Sequence, residues 1–271
     1  MITYPFSKIN IGLQIVSKRD DGFHNLETIF YPVGLKDALE IVESKEFHFR
    51  TNRPEMGSSE KNLVVKAYRL LKKDYNLPPV DIYLYKKIPT GAGLGGGSSD
   101  ASHTILMLDK LFSLDISPEK KKNYALSLGS DCPFFLENKP VFATGRGEIT
   151  EEISLSLNNY YMVLILPNVE ISTREAYDNI HVQKEKNSLK ELIKFPPEKW
   201  EGKIVNNFEE YVFDKHPEIG KIKNNLYKHE ACFALMSGSG SSVYGIFKKK
   251  QENIESWFPK NYQIFQQKLE Y

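Results

Sequence analysis

What this sequence has little of narrows its class before any motif is read. Two cysteines, Cys132 and Cys232, among 271 residues cannot build a disulfide framework, which points to a reducing compartment. Cys132 stands beside Asp131 with no histidine near it in sequence, so it reads as a small buried packing residue rather than a nucleophile. Net charge is almost absent: 36 Lys and Arg against 35 Asp and Glu leave +1. Such a balance offers no electrostatic footprint for nucleic acid or an anionic membrane surface, and the lysine triplets 120–122 and 248–250 read as solvated faces. Apolar runs are short. Tyr160 to Pro167, a buried-strand candidate, falls far below the about 18 residues of a membrane span. The N-terminus lacks a basic segment followed by an apolar one, which argues against export and for the cytoplasm. No internal repeat or low-complexity segment stands out.

Glycine, by contrast, is concentrated. Between Pro89 and Ser102 runs Pro-Thr-Gly-Ala-Gly-Leu-Gly-Gly-Gly-Ser-Ser-Asp-Ala-Ser, with a strand expected before it from Val80 to Ile88 and a helix after it. Glycines at 91, 93, 95, 96 and 97 remove the Cβ atoms that block positive φ or the close approach of an anion to backbone N–H groups. Ser98 to Ser102 supply cap-type residues where helical periodicity begins, so free N–H groups and the positive dipole end converge there. The stretch reads as a phosphate cradle. Gly91-x-Gly93-x-x-Gly96 matches a dinucleotide fingerprint, but the acidic residue at the end of a second strand is missing. A Walker A loop is excluded because no lysine occurs between Lys87 and Lys110, and the Asp-Phe-Gly and His-Arg-Asp tripeptides of protein kinases are absent.

Elsewhere Ile9, Ile11, Leu13 and Ile15 alternate with Lys8, Asn10, Gly12 and Gln14, the period of a half-buried strand that puts Lys8 and Asn10 on one face. A polar turn then leads to Gly22-Phe23-His24, where His24 alone reads as a structural histidine. Leu39 to Arg50 reads as further strand. Ser58 or Ser59 is expected to cap a helix that buries Leu63, Ala67, Leu70 and Leu71. Ala101, Ile105, Leu108 and Leu111 or Phe112 place the helix after the loop against a sheet, and Ser117-Pro118-Glu119 opens another that Gly129 ends. In Gly129-Ser-Asp131-Cys-Pro133 the acid is either an N-cap or a functional carboxylate, the cap being the commoner case. Val141 to Ile149 reads as a hairpin and Ser172-x-x-Glu175 as a capping box that starts a helix with Tyr177. The run Ser237-Gly-Ser-Gly-Ser-Ser242 between two apolar strands is a second glycine–serine loop.

These motifs together resemble the GHMP kinase superfamily. The first loop matches its central pattern, Pro-x-x-x-Gly-Leu-Gly-Ser-Ser-Ala, with Gly96 standing at the first Ser. The triple glycine, Lys8-x-Asn10-x-Gly12-Leu13, Gly22-Phe23-His24 with Glu27-Thr28, and Gly129-x-Asp131-x-Pro133 resemble the 4-diphosphocytidyl-2-C-methyl-D-erythritol kinase family in particular. The resemblance implies an α+β, two-domain GHMP kinase fold: an N-terminal kinase-type α/β sandwich domain over 1–156 and a C-terminal ferredoxin-like domain over 157–271, with the active site in the cleft between them. It implies ATP-dependent phosphorylation of a 2-hydroxyl group, with Mg²⁺ bridging the phosphates through the hydroxyl of Ser98 or Ser99. Asp131 and Lys8 are then the catalytic pair. ATP is expected at Pro89, Gly91, Gly93, Leu94, Gly95, Gly96, Gly97, Ser98 and Ser99, with Asn62 and Lys86 near the nucleotide. The substrate is expected at Asn10, Phe23, His24, Thr173, Tyr177, Gly238, Ser239 and Gly240, with Phe23 and Tyr177 stacking on cytosine and His24 reading it. Phe23 departs from the usual Tyr, which keeps the stacking and loses a phenolic hydroxyl. The implied partner is a small molecule with a cytidine diphosphate moiety, with no nucleic acid and no membrane, for a chain that is a monomer or weak homodimer. Two other readings remain: a GHMP kinase for another alcohol, and a nucleotide-binding homologue without catalysis.

Overall fold

The computed structural model describes residues 1–53, 59–180 and 188–270. Its elements in chain order are β1 (Ile2–Thr3), β2 (Phe6–Lys18), β3 (His24–Lys36), β4 (Ala38–Glu43), β5 (His48–Thr51), α1 (Leu63–Tyr75), β6 (Val80–Tyr85), α2 (Gly96–Leu111), α3 (Pro118–Leu128), β7 (Val141–Thr144), β8 (Ile149–Glu152), β9 (Tyr161–Leu166), α4 (Thr173–Asp178), α5 (Leu189–Leu192), α6 (Phe208–Lys215), α7 (Pro217–Lys228), β10 (Phe233–Met236), β11 (Val243–Phe247) and β12 (Gln263–Lys268). Two compact units share these: the first takes residues 1–7, 33–90 and 95–138, the second 8–32, 91–94 and 139–271.

In the first unit a sheet of order β1-β4-β6-β5 buries Leu39, Ile41, Ile82 and Leu84 against the apolar faces of α1, α2 and α3. Helix α1 buries Val64, Val65, Ala67, Tyr68 and Leu71; of the expected face Ala67 and Leu71 are buried, while Leu63 and Leu70 are half-buried at its edges. Its cap differs from expectation. Ser58 lies outside the described residues, Ser59 belongs to a 3-10 turn over Ser59–Lys61, and the cap is Asn62, whose Oδ1 accepts the Val64 N–H at 2.9 Å. The stretch from Leu39 to Arg50 is two strands rather than one, β4 antiparallel and β5 parallel to β6. Helix α3 follows its sequence closely, with Ser117 accepting the Lys120 N–H and Gly129 at the end.

In the second unit β9 is the hub of an antiparallel sheet of order β10-β11-β9-β12. Its core gathers Val163, Ile165, Met236 and Val243 from the sheet and Phe208, Val212, Ile219, Ile222 and Leu226 from α6 and α7. Most of another sheet, β2-β3-β7-β8, also belongs here. Strand β2 was expected to be half-buried, but both of its faces are covered from Phe6 to Ile15. Lys8 and Asn10, on what periodicity alone marks as a polar face, are 3% and 1% exposed. Buried polar groups need partners, and theirs define a site.

Candidate active site

The first glycine loop joins β6 to α2. Gly91, Gly93 and Gly95 have φ of 69°, 76° and 70°, a left-handed conformation at every second residue that L side chains adopt at a cost. Helix α2 begins at Gly96 behind a left-handed Gly95 with no side-chain cap. The serines expected to cap it lie inside its first turns, so the helix start is left to backbone N–H groups, the donors a phosphate takes. A Cβ on Gly97 would come 3.8 Å from Leu63 Cδ1, which sets the start of α1 beside that of α2. Asn62 serves there first as a helix cap. Leu94 is buried, while Gly91, Gly97 and Thr90 are exposed and Pro89, Gly93, Gly95 and Ser98 are half-buried. Ser99 is fully buried, with its Oγ 3.4 Å from His103 Nδ1.

The second glycine–serine loop is docked on the first. Ser237 Oγ donates to the Gly93 carbonyl at 2.9 Å and accepts the Asn10 N–H at 3.1 Å, while Ser242 Oγ donates to the Ala92 carbonyl at 2.6 Å. Gly93 and Gly238 pack so closely that a Cβ on Gly93 would sit 1.9 Å from the Ser237 carbonyl oxygen. Asn206 Nδ2 holds the second loop from behind through the carbonyls of Met236 and Gly238, each at 2.8 Å. Gly238, Ser239 and Gly240 are all buried. Into this junction reaches Lys8: its Nζ donates to Gly93 O at 3.0 Å and to Asn10 Oδ1 at 2.5 Å, and lies 5.1 Å from the centre of the Phe30 ring. Asn10 is fixed in turn by Thr28, to whose Oγ1 its Nδ2 donates at 2.8 Å, and Thr28 donates to Gly12 O. A buried ammonium is thus oriented by a carbonyl of the glycine loop.

Asp131 belongs to the first unit. It precedes a 3-10 turn over Cys132–Leu136 and makes no side-chain cap bond to it, so the cap reading gives way to a carboxylate not committed to that turn. The segment is tied to α2 by Ser102 Oγ, which donates to Cys132 O at 2.7 Å. Cys132 itself is completely buried, and burial pushes its thiol up to about 11. That is the inert packing residue the sequence predicts.

The expected base site shows a different pairing of rings. His24 stacks on Tyr177 with centroids 5.3 Å apart and 23° between planes, and Tyr177 meets Phe208 edge-on. A base held between two rings needs about 7 Å between them, two van der Waals separations. Phe23 is 53% exposed with the Arg146 guanidinium 4.6 Å from its centre. His24 is held below its ordinary value, chiefly by burial and then by Lys18, so its imidazole is neutral at pH 7. Thr173 Oγ1 and Ser239 Oγ meet at 2.9 Å, which joins two expected substrate residues from α4 and the second loop.

Lys86 is 4% exposed, and its Nζ bonds both Asp37 and Asp100, the latter at 2.7 Å. Burial alone would lower its pKa, but the two carboxylates raise it. Burial pushes the Asp100 carboxyl up to about 7 against the opposing pull of Lys86. Several of these partners carry no sequence signal of their own. Asn206 and Tyr244, whose hydroxyl donates to Asn10 O at 3.0 Å, have no motif around them, while Thr28 and Ser237 lie in motifs that gave no hint of their partners. Asp37 reads as a turn residue before β4.

Paired glycine loops, a helix start stripped of side-chain caps and a buried lysine aimed at a loop carbonyl define a small-molecule phosphotransferase of the GHMP type. The family model described as GHMP kinases N terminal domain matches residues 62–139, and that described as GHMP kinases C terminal matches 185–263. A 4-diphosphocytidyl-2-C-methyl-D-erythritol kinase of Bacteroides thetaiotaomicron is 52% identical over 253 residues, 92% of each chain. A crystal structure of 4-(cytidine 5'-diphospho)-2C-methyl-D-erythritol kinase superposes with a TM-score of 0.79 at 29% identity, covering 90% of this chain and 89% of that one. The mevalonate kinase of Methanococcus jannaschii shares the fold, with a TM-score of 0.72 at 15% identity over 100% of this chain and 98% of its own. The chain belongs to the 4-diphosphocytidyl-2-C-methyl-D-erythritol kinase family of the GHMP kinases.

Proposed function

We propose that the protein transfers the γ-phosphoryl group of ATP to the 2-hydroxyl of 4-diphosphocytidyl-2-C-methyl-D-erythritol, in the non-mevalonate route to isoprenoid precursors. The observation that carries this reading is the hydrogen bond from Lys8 to the Gly93 carbonyl, which links the acceptor-side lysine directly to the phosphate loop. Amides of Gly91 to Gly97 and the start of α2 hold the phosphates, and Asn62 stands near the nucleotide. Asp131 takes the proton of the 2-hydroxyl as its oxygen attacks the γ-phosphorus; the bond from that phosphorus to the bridging oxygen breaks, and ADP leaves. Lys8, oriented by Asn10, steadies the hydroxyl and offsets developing charge. Phe23, His24 and Tyr177 take the cytosine, His24 leaving its 5.3 Å stack on Tyr177 to admit the base, and Thr173 with the loop of Gly238, Ser239 and Gly240 takes the polar middle of the substrate. On this reading residues 1–156 are the ATP-binding half and 157–271 the C-terminal half, whereas the compact units divide the chain differently, with 8–32, 91–94 and 139–156 in the second.

Among the described residues no group of three His, Cys, Asp or Glu could hold a metal ion unaided. Mg²⁺ keeps few protein ligands and binds largely through phosphate oxygens. Ser98, half-buried at the start of α2, suits it better than Ser99, which is buried against His103. When bound, the ion offsets charge on the ATP phosphates. The test of the whole reading is ADP release from Mg-ATP with the cytidylyl alcohol, with mevalonate and galactose run alongside. Turnover confined to the cytidylyl alcohol supports it, and turnover on another alcohol overturns the substrate. Asp131→Asn is expected to cut kcat by about 100-fold or more with KM for ATP unchanged; equal losses in ATP binding would remove the role of base.

A further inference from the structure

The chain leaves β6 for the glycine loop and returns from it to α2 at one buried ion cluster. On the outgoing side, Asp37 Oδ1 accepts the N–H groups of Lys87 and Ile88 at 2.6 and 2.8 Å, the last residues before Pro89. Its Oδ2 meets Lys86 Nζ. On the returning side, the same ammonium bonds Asp100 Oδ2 at 2.7 Å, one turn into α2. The two ends touch: a Cβ on Gly96 would come 2.8 Å from Ile88 Cγ2 and 3.1 Å from Lys86 Nζ. Asp37 is anchored from a third direction, its own N–H donating to Pro5 O at 2.9 Å. All three side chains are at least 96% buried, with relative exposures of 1%, 4% and 2%.

Stability is a poor reason to keep such a cluster, because buried ion triads are often no more stable than apolar residues of the same volume. Asp100 sharpens the point: its Oδ1 is buried without a hydrogen-bond partner among the described residues. The position of Lys86 also needs explaining, since a cation beneath a helix N-terminus opposes the dipole unless carboxylates offset it. What the cluster does accomplish is geometric. A glycine-rich loop is expensive to order, and amides that are to meet phosphate must be fixed in advance if binding is not to bear that cost.

We infer that Asp37, Lys86 and Asp100 are positioning residues, a buried staple that fixes both ends of the glycine loop so that its amides meet the ATP phosphates. The inference rests on the reading of that loop as the ATP phosphate site. It gives Lys86 a place under the loop, with its charge committed to two carboxylates, instead of a contact with the nucleotide. Loss of the staple weakens ligands in proportion to their phosphates and leaves ligands without phosphate alone.

The test compares ATP with adenosine, by calorimetric Kd, in wild type and in the triple variant D37N/K86M/D100L, which removes all three charges together, keeps an amide oxygen for the Lys87 and Ile88 N–H groups, and is expected to fold. ATP is expected to weaken by about tenfold or more while adenosine stays within about twofold, and KM for the cytidylyl alcohol is unchanged. Lys86→Gln, which keeps a polar group of similar length, is the second variant and is expected to weaken ATP by at least about threefold; it decides the matter if the first fails to fold. Equal weakening of ATP and adenosine would mean a general structural role, and unchanged ATP affinity in either folded variant would mean no role; both overturn the inference. A wild type that binds no ATP would instead refute the functional reading.

Discussion

Alanine at Gly93 and alanine at Gly91 form a controlled pair. Both glycines are left-handed, with φ of 76° and 69°, so the added side chain carries about the same backbone cost in each, ~1–2 kcal/mol. The surroundings differ. At Gly91 the nearest atom to a new Cβ is Glu170 Cγ at 3.8 Å, an ordinary contact. At Gly93 it is a backbone oxygen, Ser237 O, at 1.9 Å, with its carbon at 2.8 Å. A carbonyl cannot swing away as a flexible side chain can, so the two loops must part by more than an ångström. Overpacking of that kind costs ~1–3 kcal/mol. Parting also strains or breaks the bonds from Ser237 Oγ and Lys8 Nζ to Gly93 O and from Ser242 Oγ to Ala92 O, each worth about 1 kcal/mol. Gly93→Ala is therefore expected to be about 3–5 kcal/mol less stable than Gly91→Ala. Because Lys8 moves with the carbonyl it bonds, kcat should fall about 100-fold, the usual cost of misplacing a reacting group by an ångström. Urea midpoints at constant m-value give the first number, and kcat at saturating ATP gives the second. Equal stability in the two variants, or a kcat within a few-fold of wild type in Gly93→Ala, would refute the docking of the loops and the coupling of Lys8 to them.

Tyr177→Ala is expected to raise KM for the cytidylyl alcohol by the ~1–3 kcal/mol of a lost base stack and to leave KM for ATP alone; initial rates at varied concentrations of each substrate separate the two. The imidazole of His24 is depressed below its ordinary 6.5, so the unfolded chain binds the proton first. Its neutral form stabilises the fold above pH 6.5, and that contribution fades as pH falls below it. Urea titrations at pH 8 and pH 5 should show a smaller acid loss in His24→Gln than in wild type, and an equal loss would contradict the assignment. Cys132, buried with its thiol pushed up to about 11, should resist iodoacetamide at pH 8 until the protein unfolds. Half-buried Cys232 should label first, as mass spectrometry of the two peptides can show.

Local chemistry made much of this molecule legible in advance. Ser117-Pro118 opens α3 because a capping side chain and a fixed proline φ act within one turn, and Gly129 ends it with its N–H on Ala125 O. Ser172 caps α4 for the same reason. Alternation in β2 foretold a strand and the shared face of Lys8 and Asn10, but not that the face is buried, since periodicity reports one covering layer and cannot count a second. The cap of α1 was misplaced from Asn62 to a serine because Asn, Ser and Thr cap alike and several stood in a row. The same ambiguity hid the true start of α2, which a left-handed glycine sets without any side chain. Long-range partners were illegible. Nothing near Asp37 in sequence announces Lys86, and nothing near Gly93 announces Ser237, 144 residues away. Resemblance supplied the roles expected of Phe23 and Tyr177, but not that His24 would be the ring set against Tyr177.

Phosphate loops are usually described through their N–H groups, and the carbonyl side is left out. In a trans peptide the two point in opposite directions, so the Gly93 carbonyl and the Leu94 N–H are the two ends of one dipole. A cation on the carbonyl end, here Lys8 at 3.0 Å, draws electron density toward itself and strengthens the donor at the other end, as hydrogen bonds in series polarise one another. Ser237 Oγ adds a second donor to the same oxygen. The loop is then better suited to an anion because a lysine and a serine hydroxyl hold its far side. Under the proposed function the ammonium assigned to the acceptor alcohol thereby also tunes the donor site, and the low dielectric of a buried junction makes that coupling stronger than it would be in water. This accounts for a glycine at 93 twice over: its φ of 76° makes the loop, and its missing side chain lets the backbone of Ser237 come close enough to dock.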